Sequence, residues 1–201
     1  MKKLTTALVF MAMLLLGLSG CGKVRYPAYY TLNLPAPPDP PAPESVRTSI
    51  AVREFQSPSY LRQGPIVYRS TPEQIGFYEY HRWAADPRAV ITSAVIDHLR
   101  ARGQFARVSM YDGRPDDDYV FSGRLEKLEE VDYKARVTVE VAISGQITRA
   151  KTGATVWSDA VSEVRTVSQR SVPGVVSEMN QSMGIAIEKL LASIPATLAS
   201  Q

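Results

Sequence analysis

Apolar residues occupy every second position between residues 135 and 143. A period of two places alternate side chains on opposite faces of a strand, so the pattern predicts a strand with one apolar face. Residues 119–131 and 155–167 are predicted to be strands as well, and the three are expected to form an antiparallel meander. The alternating apolar residues are Ala135, Val137, Val139, Val141 and Ile143.

Two other stretches repeat apolar residues at spacings of three and four, the period of a helix with one buried face. The first helix is predicted over residues 87–102, with Asp86 as its N-cap and Gly103 just beyond its end. The second is predicted to begin near Ser171 and to end before Pro195. The apolar positions are Val90, Ile91, Ala94, Val95 and Leu99 in the first helix, and Val175, Val176, Met179, Met183, Ile187, Leu190, Leu191 and Ile194 in the second.

Shorter β-favouring runs complete the predicted sheet. They cover residues 30–34, 48–55, 66–68, 75–80 and 104–110. Strands and helices that mix without a regular alternation indicate an α+β fold. We therefore predict a mainly antiparallel sheet with two principal helices packed on one face.

The N-terminus has the pattern of a bacterial lipoprotein signal. Two lysines precede an apolar run over residues 4–18, and Leu-Ser-Gly-Cys at residues 18–21 fits a lipobox. Residues 1–20 are therefore predicted to be the signal peptide, with Cys21 carrying acyl chains such as palmitate. Gly22, rather than an aspartate, follows the cysteine and favours sorting to the outer membrane.

The remaining length fits one domain behind a short tether. Residues 21–28 are predicted to be the lipidated tether and residues 29–201 a single domain. Prolines crowd residues 35–43, and this density favours an extended conformation without ladder hydrogen bonds. We interpret this segment as an exposed loop; a stiff spacer is the alternative.

Charge and cysteine content exclude several classes of function. The formal charge of +3 includes the two lysines of the signal peptide, so the mature chain carries about +1. A charge this close to zero, without any Lys- or Arg-rich run, argues against nucleic acid binding. Cys21 is the only cysteine, so its lipidation leaves no thiol for a disulfide or a metal site.

The sequence lacks the motifs of common catalytic classes. It has no G-x-S-x-G, H-E-x-x-H or phosphate-binding loop, and only two histidines. His98, beside the apolar stripe of the first helix, is predicted to be structural, and residues 116–118 to be a solvated loop. We therefore predict no enzymatic activity, no cofactor and no metal. The catalytic alternative is an envelope hydrolase acting through Glu79 and His81.

Aromatic residues concentrate between residues 64 and 87. The simplest interpretation is a two-stranded hairpin packed under the following helix, because clustered rings are usually core residues. The alternative is a surface that docks a partner or a lipid, because Tyr, Trp and Arg are enriched at interface anchors. The residues predicted for that surface are Tyr68, Arg69, Tyr78, Tyr80 and Trp83.

Three features of this block follow one another in an order shared with a known protein family. They are the run Ile66-Val67-Tyr68-Arg69, the pair Tyr78-Glu79 followed by Trp83, and the helix from Pro87. In these features the chain resembles the ABC-type transport auxiliary lipoprotein family, whose members include the lipoprotein of the paraquat-inducible transport system. The resemblance extends from about residue 29 to the C-terminus.

The resemblance implies a non-catalytic lipoprotein anchored on the periplasmic face of the outer membrane. Its implied partners are an ABC permease and ATPase and a mammalian-cell-entry-type lipid-binding protein, which together move lipids or other hydrophobic compounds across the envelope. A homo-oligomer is also implied. The alternative is a structural or assembly lipoprotein of the envelope that works without a transporter.

Overall fold

The computed structural model describes residues 25–35, 46–114, 116–133 and 135–200. The predicted signal peptide, Cys21 and residues 36–43 of the predicted Pro-rich loop lie outside the described residues. Within the described ranges, every helix is too short or too polar to cross a membrane.

One sheet and two α-helices make up the described body, which confirms the predicted α+β fold. The eight strands of the described ranges are β1 (Ala28–Tyr30), β2 (Ser49–Val52), β3 (Pro65–Arg69), β4 (Ile75–Trp83), β5 (Arg107–Met110), β6 (Tyr119–Val131), β7 (Thr138–Arg149) and β8 (Thr155–Thr166). The helices are α1 (Pro87–Arg102) and α2 (Val172–Ala192), and short 3₁₀ turns span Ser59–Arg62 and Ala196–Ser200.

Strand β6 is the centre of the sheet because it pairs along both of its edges. On one edge it runs antiparallel to β7, which in turn runs antiparallel to β8, as the predicted meander requires. Two strands share its other edge, and both are parallel to it: β2 beside the start of β6, and β3 beside its end. Strand β5 extends the β2 side, while β4 and then β1 extend the β3 side. The sheet is therefore branched and mixed, with the longest ladders antiparallel.

The main core lies between one face of this sheet and the two helices. Helix α2 packs across β7 and β8, and α1 packs against β5 and α2. On β7 the side chains of Val139, Val141 and Ile143 are fully buried, while the residues between them are only partly buried. The apolar face predicted from the period of two is thus the face that the helices cover.

Local capping fixes the predicted helix ends. The Asp86 carboxylate accepts a hydrogen bond from the Arg88 amide at 2.9 Å, and Pro87 occupies the first turn. Gly103 closes α1 with φ of 62°, a left-handed conformation that glycine adopts without strain. At the start of α2 the Ser171 hydroxyl accepts from the Gly174 amide at 3.3 Å. These interactions satisfy backbone groups that helix ends leave without partners.

The first strand lies earlier in the chain than predicted. Strand β1 ends at Tyr30, and residues 31–35 form a segment without regular secondary structure that lies beside both helices. The Asn33 amide donates to Oδ1 of Asn180 on α2 at 2.6 Å, and Leu32 is buried. The backbone amide of Asn33, in the predicted strand 30–34, is therefore hydrogen-bonded to a helix side chain and not to a neighbouring strand.

Candidate functional site

Four rings form a continuous row across β1, β4 and β3. The rings of Tyr68 and Tyr78 are 5.1 Å apart, and those of Tyr78 and His81 are 5.7 Å apart and meet edge to face. Tyr30 follows, with its hydroxyl 2.9 Å from Nδ1 of His81. All four side chains are half-buried. We call Tyr30, Tyr68, Tyr78 and His81 the aromatic row.

Two features of the hairpin place these rings together. Gly76 lies directly opposite Tyr68, and a side chain at residue 76 would occupy the space of the Tyr68 ring. The pairing of β3 and β4 also shifts register between Pro65 and Val67. This irregularity breaks the strict alternation of faces along β4, so that Tyr78 and His81 can touch although they are three residues apart.

A buried carboxylate supports the row from below. The Tyr78 hydroxyl donates to Oε2 of Glu130 at 2.7 Å, and Glu130 is only 6% exposed. Burial raises the pKa of Glu130, and the hydrogen bond from Tyr78 offsets part of this effect. Burial, together with the Glu130 hydrogen bond, also raises the pKa of Tyr78. Both groups therefore favour their neutral forms more than they would in water.

Arg69 points away from the row. Its Nε donates to Oε1 of Glu129 at 2.6 Å, and its Nη1 donates to the Pro72 carbonyl at 2.8 Å. Glu129 is fully buried, and strand alternation directs it to the face opposite Glu130. The hydrogen bond to Glu129 raises the pKa of Arg69. This ion pair joins β3 to β6 and contributes to the fold of the hairpin.

The last two predicted residues have different surroundings. Tyr80 is partly exposed, and the Arg25 guanidinium lies 5.9 Å from its ring centre. A hydrogen bond with Glu79 raises the pKa of Tyr80. Trp83 is 7% exposed and belongs to the core cluster. Two of the five predicted docking residues, Tyr68 and Tyr78, therefore lie in the aromatic row, and Tyr80 is on β4 with Tyr78. The other two are elsewhere: Arg69 is on the opposite face of the sheet and Trp83 is in the core.

The sequence of this body matches one protein family over most of its length. The family model described as "ABC-type transport auxiliary lipoprotein component" covers residues 30–190. The chain belongs to this family. The resemblance seen in the hairpin and the following helix is thereby confirmed. No curated protein matches the chain.

Solved structures share the fold of this auxiliary lipoprotein at low sequence identity. A protein from Xanthomonas campestris is 16% identical with a TM-score of 0.70, over 82% of this chain and 92% of that one. An uncharacterised protein is 12% identical with a TM-score of 0.67, over 85% of this chain and all of that one. Both likenesses concern the fold alone.

Glu79 and His81, the two residues of the hydrolase alternative, have different hydrogen-bond partners. The side chain of Glu79 forms a hydrogen bond with Tyr80, whereas His81 forms one with Tyr30. Within the part of the chain that the structure describes, Glu79 and His81 form no hydrogen bond with each other, and no three acidic, His or Cys side chains are grouped as metal ligands would be.

Sequence reasoning missed three members of this region: Tyr30, His81 as a ring of the row, and Glu130. A signal for Glu130 was present, because it lies on the same face of β6 as the buried Leu128. Val139, its partner on β7, is buried as well. A charged residue on an apolar face indicates a specific partner. No comparable signal exists for the contact of Tyr30 with His81, because it depends on the parallel pairing of β1 and β4.

Two grooves on the surface of the described body contain none of the five predicted docking residues. One, of ≈ 860 Å³, lies on the open sheet face, with Ser122, Ser144 and Ser158 in its floor. Another, of ≈ 560 Å³, lies beside residues 31–35 and is lined by His98 and Gly184 among others. Burial lowers the pKa of His98, which fits the structural role predicted for it.

Proposed function

We propose that this lipoprotein is a non-catalytic component of an ABC transport system that moves lipids or hydrophobic compounds across the envelope. The observation that carries the proposal is the family match over residues 30–190, which spans strands β2 to β8 and both helices up to Leu190. Its partners are an ABC permease and ATPase and a mammalian-cell-entry-type lipid-binding protein. The chain contributes binding, and the energy comes from the ATPase.

The anchor of this protein is Cys21, which holds it on the periplasmic face of the outer membrane. The lipobox at residues 18–21 and Gly22 support this placement. Each buried CH₂ contributes about 0.8 kcal/mol, so several acyl chains hold a protein stably on a bilayer. Cys21→Ala, combined with a signal peptide whose cleavage does not require a lipidated cysteine, is expected to release the chain into the soluble periplasmic fraction. Recovery of the wild-type chain with inner-membrane markers would instead place it on the other bilayer.

The aromatic row and Tyr80 form the docking surface for a partner. Half-buried tyrosines suit this role because they offer apolar area at low entropic cost together with a polar hydroxyl. Arg69 and Trp83 act on this surface indirectly, by holding the hairpin on β6 and on the core. Of the five predicted residues, Tyr68, Tyr78 and Tyr80 thus contact the partner. Arg69 and Trp83 support the hairpin that carries them.

Affinity purification of the lipidated chain from solubilised membranes, followed by mass spectrometry, tests the proposal. A permease, an ATPase and a lipid-binding subunit should co-purify. Recovery of envelope assembly proteins without any transporter subunit would favour the structural alternative. A hydrolytic activity that Glu79→Gln abolishes would contradict the non-catalytic role.

Tyr68→Ala and Tyr80→Ala are expected to weaken recovery of the partner by about tenfold or more, the effect of losing an interface anchor. Their melting temperatures should stay close to that of the wild type. Phe77→Ala is the matched control, since Phe77 is an exposed ring of the same strand whose neighbour in the pairing is Val67, on the Arg69 face. Equal losses of recovery and of melting temperature would show that the tyrosines serve only the core.

A homo-oligomer is part of the proposal. Strand β8 pairs only with β7 in the described ranges, so its outer edge presents unpaired backbone groups over Thr155–Thr166. Light scattering of the purified chain is expected to give a mass larger than that of one subunit. A monomer at all concentrations would contradict this part.

A further inference from the structure

A small cavity lies where β6 ends and α2 begins. Its volume is ≈ 280 Å³, which suits the end of a side chain and not a whole lipid. Glu130 and Asp132 enter it from β6 and the loop that follows, and Tyr78 forms one wall from β4. Arg170 and Ser171, just before α2, form the opposite side.

The carboxylate of Glu130 is buried here and is not paired with Arg170, the cation at the rim of the cavity. Its side chain accepts a hydrogen bond from the neutral Tyr78 hydroxyl and forms no ion pair within the described ranges. The adjacent Glu129 shows the usual arrangement, because its buried carboxylate is paired with Arg69 at 2.6 Å. A buried carboxylate is costly unless a cation or several donors compensate for lost water.

We propose that this cavity binds one cationic group, the ammonium or guanidinium at the end of a Lys or Arg side chain of the docking partner. The inference rests on the proposed function. The incoming group would donate hydrogen bonds to the carboxylates of Glu130 and Asp132, with the Tyr78 ring beside it. Because Tyr78 belongs to both the cavity and the aromatic row, a partner that docks on the row also covers the cavity.

Two features on the far side of the cavity act against a cation. Arg170 is positive, and the first turn of α2 carries the positive end of the helix dipole. Ser171 caps that turn by accepting from the Gly174 amide, and Arg170 is exposed at the rim. The balance inside the cavity is set by the buried Glu130 rather than by these groups, since solvent screens the exposed charge more strongly.

The test uses the full chain in detergent micelles and Nα-acetyl-lysine-methylamide as the probe, followed by NMR titration. At pH 7.5 the probe is expected to bind saturably, with resonances of Tyr78, Asp132 and Ser171 shifting. Glu130→Gln should weaken binding about tenfold, the effect of losing one charge-assisted hydrogen bond. Glu73→Gln, which removes an exposed carboxylate in the hairpin turn, should leave binding unchanged.

Several outcomes would overturn the proposal. Equal binding of the Nε-acetylated probe would show that the positive charge is irrelevant, and equal binding by Glu130→Gln would exclude the buried carboxylate. Binding of acetate at the same resonances would show an anion site.

The cavity and the proposed function can fail separately. If no transporter subunit co-purifies but the probe binds through Glu130, the proposed function fails and a cation site remains. If the transporter subunits co-purify equally well with Glu130→Gln and Glu73→Gln, the partner is correct and the cavity does not take part in docking.

Discussion

Two consecutive glutamates on β6 have opposite electrostatic surroundings. Glu129 faces Arg69 at 2.6 Å, whereas the buried partner of Glu130 is the neutral hydroxyl of Tyr78. Successive side chains of a strand point to opposite faces, so the two carboxylates lie on different faces of the sheet. A single residue step therefore changes a carboxylate from a structural ion pair into a group held without compensating charge.

Glu130→Gln is expected to make the protein more stable at neutral pH and less sensitive to pH. The pKa of Glu130 is raised above its ordinary value of 4.5 by burial, with Asp132 adding to the effect. Its stabilising contribution is therefore complete below the unfolded pKa and is lost as pH rises through the folded one. Glutamine keeps an acceptor for Tyr78 and does not titrate. Urea unfolding between pH 4.5 and 8 measures the difference, and an unchanged pH slope would contradict it.

At the level of elements, α2 contains a glycine that its own packing does not require. A methyl group added at Gly184 would meet no atom within 4 Å, although glycine inside a helix is less favourable than alanine. Gly123 on β6 is the contrasting case, because the Phe55 ring lies where its side chain would be. The same substitution should therefore have opposite effects at the two positions.

Gly184→Ala is predicted to stabilise the protein by about 1 kcal/mol, the difference in helix propensity between the two residues. Gly123→Ala is the matched comparison and should destabilise it by about 1–3 kcal/mol through overpacking. Chemical denaturation of both variants gives the free energies of unfolding. A loss of stability in Gly184→Ala would reveal an inward contact on that side of α2.

Elements with local signals could be predicted well from the sequence, and those with distant partners could not. The bounds of α1 were predicted because Asp86, Pro87 and Gly103 fix its ends through adjacent residues. The end of β1 was misplaced, since Asn180 on α2 takes the backbone amide of Asn33. In the site, Tyr68 and Tyr78 were named among the five predicted docking residues, but the contact of Tyr78 with His81 depends on a register shift that no residue type indicates.

At the scale of the whole molecule, one ion pair ties the β3 side of the branched sheet to its centre. Arg69 on β3 and Glu129 on β6 are 60 residues apart and exposed by 19% and 0% at their side chains. In the described ranges Oε2 of Glu129 has no hydrogen-bond partner, so Arg69 is its main compensation.

Arg69→Ala is expected to destabilise the fold by about 3 kcal/mol, because it leaves a buried carboxylate without its cation. The double variant Arg69→Met with Glu129→Leu should recover most of this loss by replacing the pair with apolar side chains. Thermal and urea unfolding of the single and double variants check the prediction. A double variant as unstable as the single one would mean that the side chains matter for shape rather than charge.

The branching at β6 has a consequence for how the newly made polypeptide acquires its structure. Strands β2 and β3 end by Arg69, yet both pair with β6, whose last residue is Val131. During synthesis or export, the β1–β4–β3 and β2–β5 pairings can close before β6 arrives, but among the described strands only β6 joins the two pieces. Until then the early strands expose their apolar sides. Such late closure slows folding and makes an escorting chaperone valuable along the route to the membrane.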